Sequence, residues 1–297
     1  MDRFVGIPVL PLDDWIQRFV DGFVASYRPF FQLLRLPIEY LLQSVAQGLI
    51  SLPPVVVIVV LAALAAWRVG LRFGIFVALA TFTMGWLGLW NESMTSISVV
   101  ATAVCFAALI GIPAGILVAE FAGAWRVAKP VLDVLQTTPS FVYLVPVVML
   151  FGIGTVPGTI ATVVFATPPL IKLTYLGLAG VSSEAVEAGV AFGSTRLQLL
   201  LHVKLPLALK AIEAGLNQTI MLSIVMSTIA AMIGAEGLGL TVLRGIARLD
   251  IGMATTGGIS LILLALIFDG IMQGRPRRRS DVVGFFRRLQ RRVLVAS

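Results

Sequence analysis

Residues 94–119 read MTSISVVATAVCFAALIGIPAGILVA, a run without a charged side chain. A helix needs about 20 predominantly apolar residues to cross the hydrocarbon core of a bilayer, and this run is long enough. Its apolar positions are continuous rather than alternating, which argues against the two-residue period of a membrane β-barrel. Gly111 and Gly115 stand four residues apart within it. That spacing of small residues lets a second helix approach closely.

Outward from this run the pattern repeats. Apolar stretches fall at about 51–67, 71–90, 138–153, 157–176, 213–233 and 254–272, for about seven spans in all. The whole chain is 58% hydrophobic and 12% charged, against roughly 25% charged in a soluble domain. The expected fold class is all-α, a polytopic helical membrane protein. Pro54, Pro113, Pro139, Pro146, Pro168 and Pro169 lie in or near spans. Such breaks are tolerated where protein or a water-lined path covers the freed carbonyls. The Pro168-Pro169 pair is expected to bend its helix.

Loop charges orient the spans under the positive-inside rule. Arg68, Arg72, Arg126 and Lys129 mark cytoplasmic turns, and so do the basic residues between Glu187 and Lys210. The uncharged turn at Gly154 and Pro157 falls outside. Arg244 and Arg248 sit in an outer loop and run weakly against the rule. The tail from Arg275 to Ser297 holds eight arginines and one aspartate, which accounts for the whole net charge of +7. Beside a span this reads as a cytoplasmic anchor, touching anionic lipid rather than nucleic acid.

The first 50 residues differ from the rest. Trp15, Phe19, Phe23 and Tyr27 recur every fourth residue, while Asp13, Asp14, Gln17, Arg18 and Asp21 keep the opposite face polar. Pro29 and Pro37 are expected to break this helix, and Ile38, Leu41, Leu42, Val45 and Leu49 form a second amphipathic stretch. The segment either lies in the membrane interface or packs as an arm on the bundle. A further span over 30–50 would move the N-terminus inside. The opening MDRFVGIPVLPLDDW lacks the basic and apolar regions of a cleavable signal peptide.

Several chemistries are excluded. One cysteine, Cys105, and one histidine, His202, cannot supply an intrachain disulfide or a His/Cys zinc site. No Gly is followed by Lys, so there is no phosphate-binding P-loop, and there is no HExxH or G-x-S-x-G motif. No catalytic or metal site is expected, and any ATP hydrolysis must occur on another polypeptide.

Between the spans lies EAGVAFGSTRLQLLLHVKLP, residues 187–206. Ser183 is a candidate helix cap, with Glu184 and Glu187 favourable near the positive end of the helix dipole. Gly193 permits a sharp turn into a second short helix over Thr195–Val203, and Pro206 is expected to help end it. Two short helices would then form a rigid lever below the membrane.

This segment resembles the coupling loop of ABC importer permeases. The family pattern is Glu-Ala-Ala, three residues, Gly, nine residues, then Ile-x-Leu-Pro. Glu187, Ala188, Gly193, Leu205 and Pro206 fall in register, with Gly189 replacing an Ala and Val203 an Ile. TPSFVYLVPVVMLFGIGTVPG (138–158), FATPPLIKLTYLG (165–177), AGLNQTIMLSIVMSTIAAMIGAEGLG (214–239) and VLRGIARLDIGMATTGG (242–258) are similar to permeases of glycine betaine/proline/choline importers. The resemblance implies a type I ABC importer with a five-helix core in the bacterial cytoplasmic (inner) membrane. It covers roughly residues 90–273, and the expected organisation is an N-terminal amphipathic or interfacial segment at 1–50, two accessory transmembrane helices at 51–90, the core at 91–273 with the coupling loop at 184–210, and a basic cytoplasmic tail at 274–297. The implied partners are an ABC ATP-binding subunit that holds ATP and Mg, an extracytoplasmic substrate-binding protein, and a second permease copy in a homodimer. This chain would carry no cofactor.

The spans hold almost no ionisable residue at mid-depth, whereas ion-coupled carriers usually bury acids along their path. This argues against an ion-coupled secondary transporter, and the lack of a nucleophile or metal constellation argues against a membrane enzyme. Thr138, Tyr143, Asn217, Gln218 and Ser223 are candidates for the translocation path, as are Thr137, Ser140, Thr219, Ser227 and Thr228. The alternative for most is hydrogen bonding between helices. Asn217 and Gln218 stand out, because an amide in lipid is costly without a partner. Glu236 is either a gate or docking residue or a solvated carboxylate. An importer of amino acids or taurine-like solutes remains an alternative, since the binding protein would carry most of the selectivity.

Overall fold

The computed structural model describes residues 3–4, 7–8, 12–121 and 123–274. The arginine tail lies outside them. A two-residue ladder pairs Arg3–Phe4 with Ile7–Pro8, and the other regular elements are helical.

Three helices make the centre: α4 (Trp90–Glu120), α7 (Thr155–Ala179) and α10 (Leu205–Ala230). Small residues set their spacing. A Cβ on Gly111 would lie 3.1 Å from Leu170 of α7, and one on Gly115 2.5 Å from Thr174. The expected close packing at this glycine pair is therefore the α4–α7 contact. On the other side of α7, a Cβ on Gly177 would lie 2.7 Å from Ala211, and one on Gly215 2.9 Å from Leu170. Leu170 is fully buried between the two glycine-bearing helices. Without a hydrophobic driving force in lipid, such close van der Waals contact is a main source of helix association.

Several hydroxyl groups in this core bond within their own helices. Ser98 donates to Met94 O at 2.7 Å, Thr162 to Gly158 O at 2.8 Å and Thr219 to Gly215 O at 2.8 Å. This back-bonding satisfies a buried hydroxyl without a partner helix. The helix α7 continues through Pro168 and Pro169, both buried. Its apolar window is 72% buried against 22% for α12 (Ile251–Gln273), so α7 is central and α12 peripheral.

Among the described residues, four helices are long and apolar enough to span by themselves: α4, α7, α12 and the continuous stretch Arg196–Ile233. Two bent pairs raise the number to six: Val20–Ser51 with α2 (Pro54–Arg68) at 112°, and α5 (Ala124–Thr137) with Ser140–Phe151 at 104°. The multi-span helical class holds, with some expected spans shorter than read. Pro53-Pro54 and Thr138-Pro139 mark the two bends, because proline removes a donor and biases the preceding residue away from helix. The helix α3 (Leu71–Trp86) is also short, and packs on α2 where a Cβ on Gly74 would lie 2.7 Å from Ala66.

The N-terminal segment corrects one expectation. Pro29 and Pro37 do not break it: α1 runs unbroken from Leu12 to Ser51. Tertiary contact offsets the local cost of the prolines. Leu42 is buried, and Phe31 and Ile38 pack on the cluster of Tyr143, Val147 and Phe151. Gln32 Nε2 donates to Leu150 O at 2.9 Å and Arg35 Nη1 to Phe151 O at 3.5 Å. Both carbonyls belong to the last turn of α6 (Leu144–Phe151), where helical acceptors lack partners. This half of α1 packs against the bundle. Nearer its start, Trp15 and Tyr27 remain exposed.

Candidate functional site

The segment singled out by the sequence forms an elbow of two short helices. The first, α8, spans Ser183–Ala191. Its cap is Ser182 rather than the expected Ser183: Ser182 Oγ accepts from Ala185 N at 3.4 Å. The helix closes in a Schellman turn. Gly193 N donates to Val190 O at 2.9 Å and Ser194 N to Gly189 O at 3.1 Å, with Gly193 at φ +80°. Glycine takes this left-handed conformation without the steric penalty of a Cβ.

A capping box follows at once. Thr195 Oγ1 accepts from Gln198 N at 3.4 Å, and Gln198 Oε1 accepts from Thr195 N at 2.9 Å. This starts α9 (Arg196–Leu199), which widens into a π-helical turn over Leu200–Lys204 and runs directly into α10. The expected second helix over Thr195–Val203 is thus present, but Pro206 does not end it. Pro206 lies in the first turn of α10, where a missing N–H costs little. Leu205 N bonds back to Leu200 O across the wide turn.

The elbow packs on itself. A Cβ on Gly189 would lie 2.6 Å from Leu199 Cδ1 and 3.5 Å from Val203 Cγ2, so the two residues that depart from the family pattern, Gly189 and Val203, face each other across the elbow. Leu199 is the buried anchor of this crossing. Glu187 and Ala188 are exposed. So are Val190 at 59%, Phe192 at 91%, Leu197 at 64% and Leu201 at 48%. Several large apolar side chains thus stand exposed on one short segment, a feature of interaction surfaces. Lys204 Nζ joins the elbow to the end of α4 through Glu120 Oε1 at 2.7 Å.

The candidate path residues fall in two places. Thr138 and Tyr143 flank the break between α5 and α6. Thr138 Oγ1 donates to Val134 O at 2.7 Å, and the buried Tyr143 phenol donates to Leu135 O with its ring edge-on to Phe165. Asn217, Gln218 and Ser223 lie on α10. Ser223 is fully buried and donates to Thr219 O at 2.8 Å, whereas Gln218 is exposed. Asn217 Nδ2 donates to Asp269 Oδ1 of α12 at 3.3 Å, and Asn217 Oδ1 is buried without a hydrogen bond.

Sequence reasoning missed a charged cluster between α5 and α7. Lys172 Nζ donates to Asp133 Oδ1 at 2.9 Å and to Gln136 Oε1 at 3.4 Å, and Lys129 lies 3.6 Å from Asp133. The one available signal was Lys129, Asp133 and Gln136 at helical spacing on a single face. At the other end of the bundle, Glu236 is exposed and lines a cleft with Asn91, Glu92, Thr95, Thr241 and Arg244. Its backbone N–H donates to Thr155 Oγ1 at 3.1 Å. Among the described residues no group of three or more His, Cys, Asp or Glu could hold a metal ion.

Residues 111–280 match the family model described as "Binding-protein-dependent transport system inner membrane component". The chain is 45% identical over 273 residues to the glycine betaine/proline betaine transport system permease protein ProW of Escherichia coli K12, covering 91% of this chain and 77% of that protein. It is 38% identical over 273 residues to the glycine betaine transport system permease protein OpuAB of Bacillus subtilis 168, covering 92% and 96%. Its fold is similar to a chain of the inward-facing MetNI methionine ABC transporter, with a TM-score of 0.57 and 22% identity over 64% of this chain and 94% of that one. Helical spans around a close-packed centre, an exposed two-helix elbow and these relationships lead to one assignment: the chain belongs to the binding-protein-dependent transport system inner membrane components, as a multi-pass, non-enzymatic transporter subunit.

Proposed function

We propose that this chain is the permease of an ATP-driven importer for glycine betaine and related quaternary amines or osmolytes, including proline betaine, choline and carnitine. The carrying observation is the elbow, whose exposed apolar face is held rigid by a Schellman turn and a capping box. The substrate class is supported by relatives named for glycine betaine, proline betaine, carnitine and choline transport.

In this reading the elbow faces the cytoplasm and seats on an ATP-binding subunit that holds ATP and Mg. Val190, Phe192, Leu197 and Leu201 supply apolar contact, and Glu187 supplies charge at the rim. A substrate-binding protein delivers cargo to the opposite face, near Glu236. A second copy of the chain covers α5, α6 and the turn between them, where Val131, Val134, Val142 and Val145 are exposed. Lipid covers α2 and α3, where Val55, Val59, Leu79 and Trp86 are exposed. The C-terminus is cytoplasmic. Thr138, Tyr143, Asn217, Gln218 and Ser223 are the candidate path residues of this reading.

Purification from the native host in mild detergent, followed by reconstitution with the co-purifying subunits, tests it. A stoichiometric P-loop partner and ATP-dependent betaine uptake are expected. The double variant Glu187→Arg/Gly193→Pro should lose uptake while the spans stay folded. Wild-type uptake by that variant would remove the elbow from the mechanism.

A further inference from the structure

We infer that Glu120 and Lys204 form a strut that passes elbow motion directly to α4, beside the covalent route into α10. This rests on the coupling reading of the elbow. The elbow helices α8 and α9 pack chiefly on each other and on the π turn that follows them. Their covalent exit is that turn, Leu200–Lys204, whose wider hydrogen-bond spacing makes it a local discontinuity and often marks a functional position. At its last residue, Lys204 Nζ reaches Glu120 Oε1 at 2.7 Å, across 84 residues of sequence.

Three observations single out this contact. Glu120 is the final residue of α4, where the helix dipole disfavours a carboxylate. Its presence there is explained by the ammonium that meets it. Both side chains are partly shielded, at 21% exposure for Lys204 and 30% for Glu120, although the elbow around them is open. Apolar contacts flank the pair, with Leu200 and Leu205 packed in the cluster that includes Ile116 and Ala119 of α4. The strut therefore ends on the helix whose Gly111 and Gly115 are pressed against α7. Displacement of the elbow would move the α4–α7 seam as well as α10.

A partly exposed ion pair contributes little to stability, so its loss should leave assembly intact and alter transmission. The experiment measures betaine uptake per ATP hydrolysed in proteoliposomes holding the whole transporter. Glu120→Gln and Lys204→Gln are each expected to lower that ratio about five-fold, the low end of a typical coupling free energy. The swap Glu120→Lys/Lys204→Glu should restore it to within about two-fold. An unchanged ratio in both single variants would overturn the strut. So would loss in the singles without recovery in the swap, since the residues would then act separately. If a single variant fails to assemble, Lys204→Arg and the swap still decide, because both keep a charge pair. Glu187→Arg runs alongside: if it too leaves uptake unchanged, the coupling reading fails, whereas a defect at Glu187 with none at Glu120 or Lys204 rejects the strut alone.

Discussion

The α4–α7–α10 centre and the elbow both depend on glycine, for opposite reasons. At Gly115 and Gly177 a side chain would strike Thr174 or Ala211 of a neighbouring helix. At Gly193 no atom lies within 4 Å of an added Cβ, and glycine is required by φ alone. The centre is glycine-rich so that three helices can touch. The elbow uses glycine so that one short chain segment can reverse. Their apolar side chains differ in the same way: Leu170 is fully buried in the centre, and Phe192 stands almost fully exposed on the elbow. At the centre the atoms that meet the glycines belong to this chain, whereas the proposed partner of the elbow is another subunit.

The comparison can be broken most forcefully at the seam. Gly115→Val should force α4 away from α7, because backbone as well as side-chain atoms crowd the site. Overpacking of this kind costs about 1–3 kcal/mol or more, and thermal unfolding in detergent should show a clear loss of stability. An unaltered melting curve would mean that the seam is loose.

Gly193→Ala tests the other reason for glycine. A left-handed conformation costs an L-residue about 1–2 kcal/mol, with no clash to add. The melt of the spans should stay unchanged while ATPase affinity and uptake fall. If the spans melt early instead, the elbow is part of the fold rather than an appendage to it.

The smallest effect belongs to Gly189→Ala. The new methyl meets the far end of the flexible Leu199 side chain, which can shift. Replacing Gly by Ala within a helix is favourable by about 1 kcal/mol, so uptake should remain near wild type. A severe defect would show that the α8–α9 crossing tolerates no adjustment, which would sharpen the view of the elbow as one rigid piece.

Much of the elbow was legible because its determinants are local. Gly193, Thr195 and Gln198 act within a few residues of one another, and a Schellman turn followed by a capping box needs no tertiary partner. The exact cap was misplaced by one residue, since Ser182 and Ser183 are chemically equivalent and only backbone geometry separates them. The glycine pair of α4 was legible for a similar reason. Its spacing places both residues on one helix face, although the helix that fills the gap could not be named from sequence.

The prolines were misread in a systematic way. Pro29, Pro37 and Pro206 looked like breaks, and helix continues through each. The cost of a proline is local, whereas the compensation is not. Contacts of Phe31, Ile38 and Leu42 with the α6 region hold α1 together. A π turn and a first-turn position accommodate Pro206.

The sequence by itself determined that this protein is helical and membrane-spanning, and where its short elbow turns. Hydrophobic run length, glycine conformation and helix capping are properties of neighbouring residues. Only the tertiary structure decided which helices occupy the centre, how many reach full spanning length, and which distant charges meet. Glu120 with Lys204, and Asp133 with Lys172, are joined by packing across long stretches of chain. No local energy term specifies such pairs, because each side chain would be equally well solvated alone.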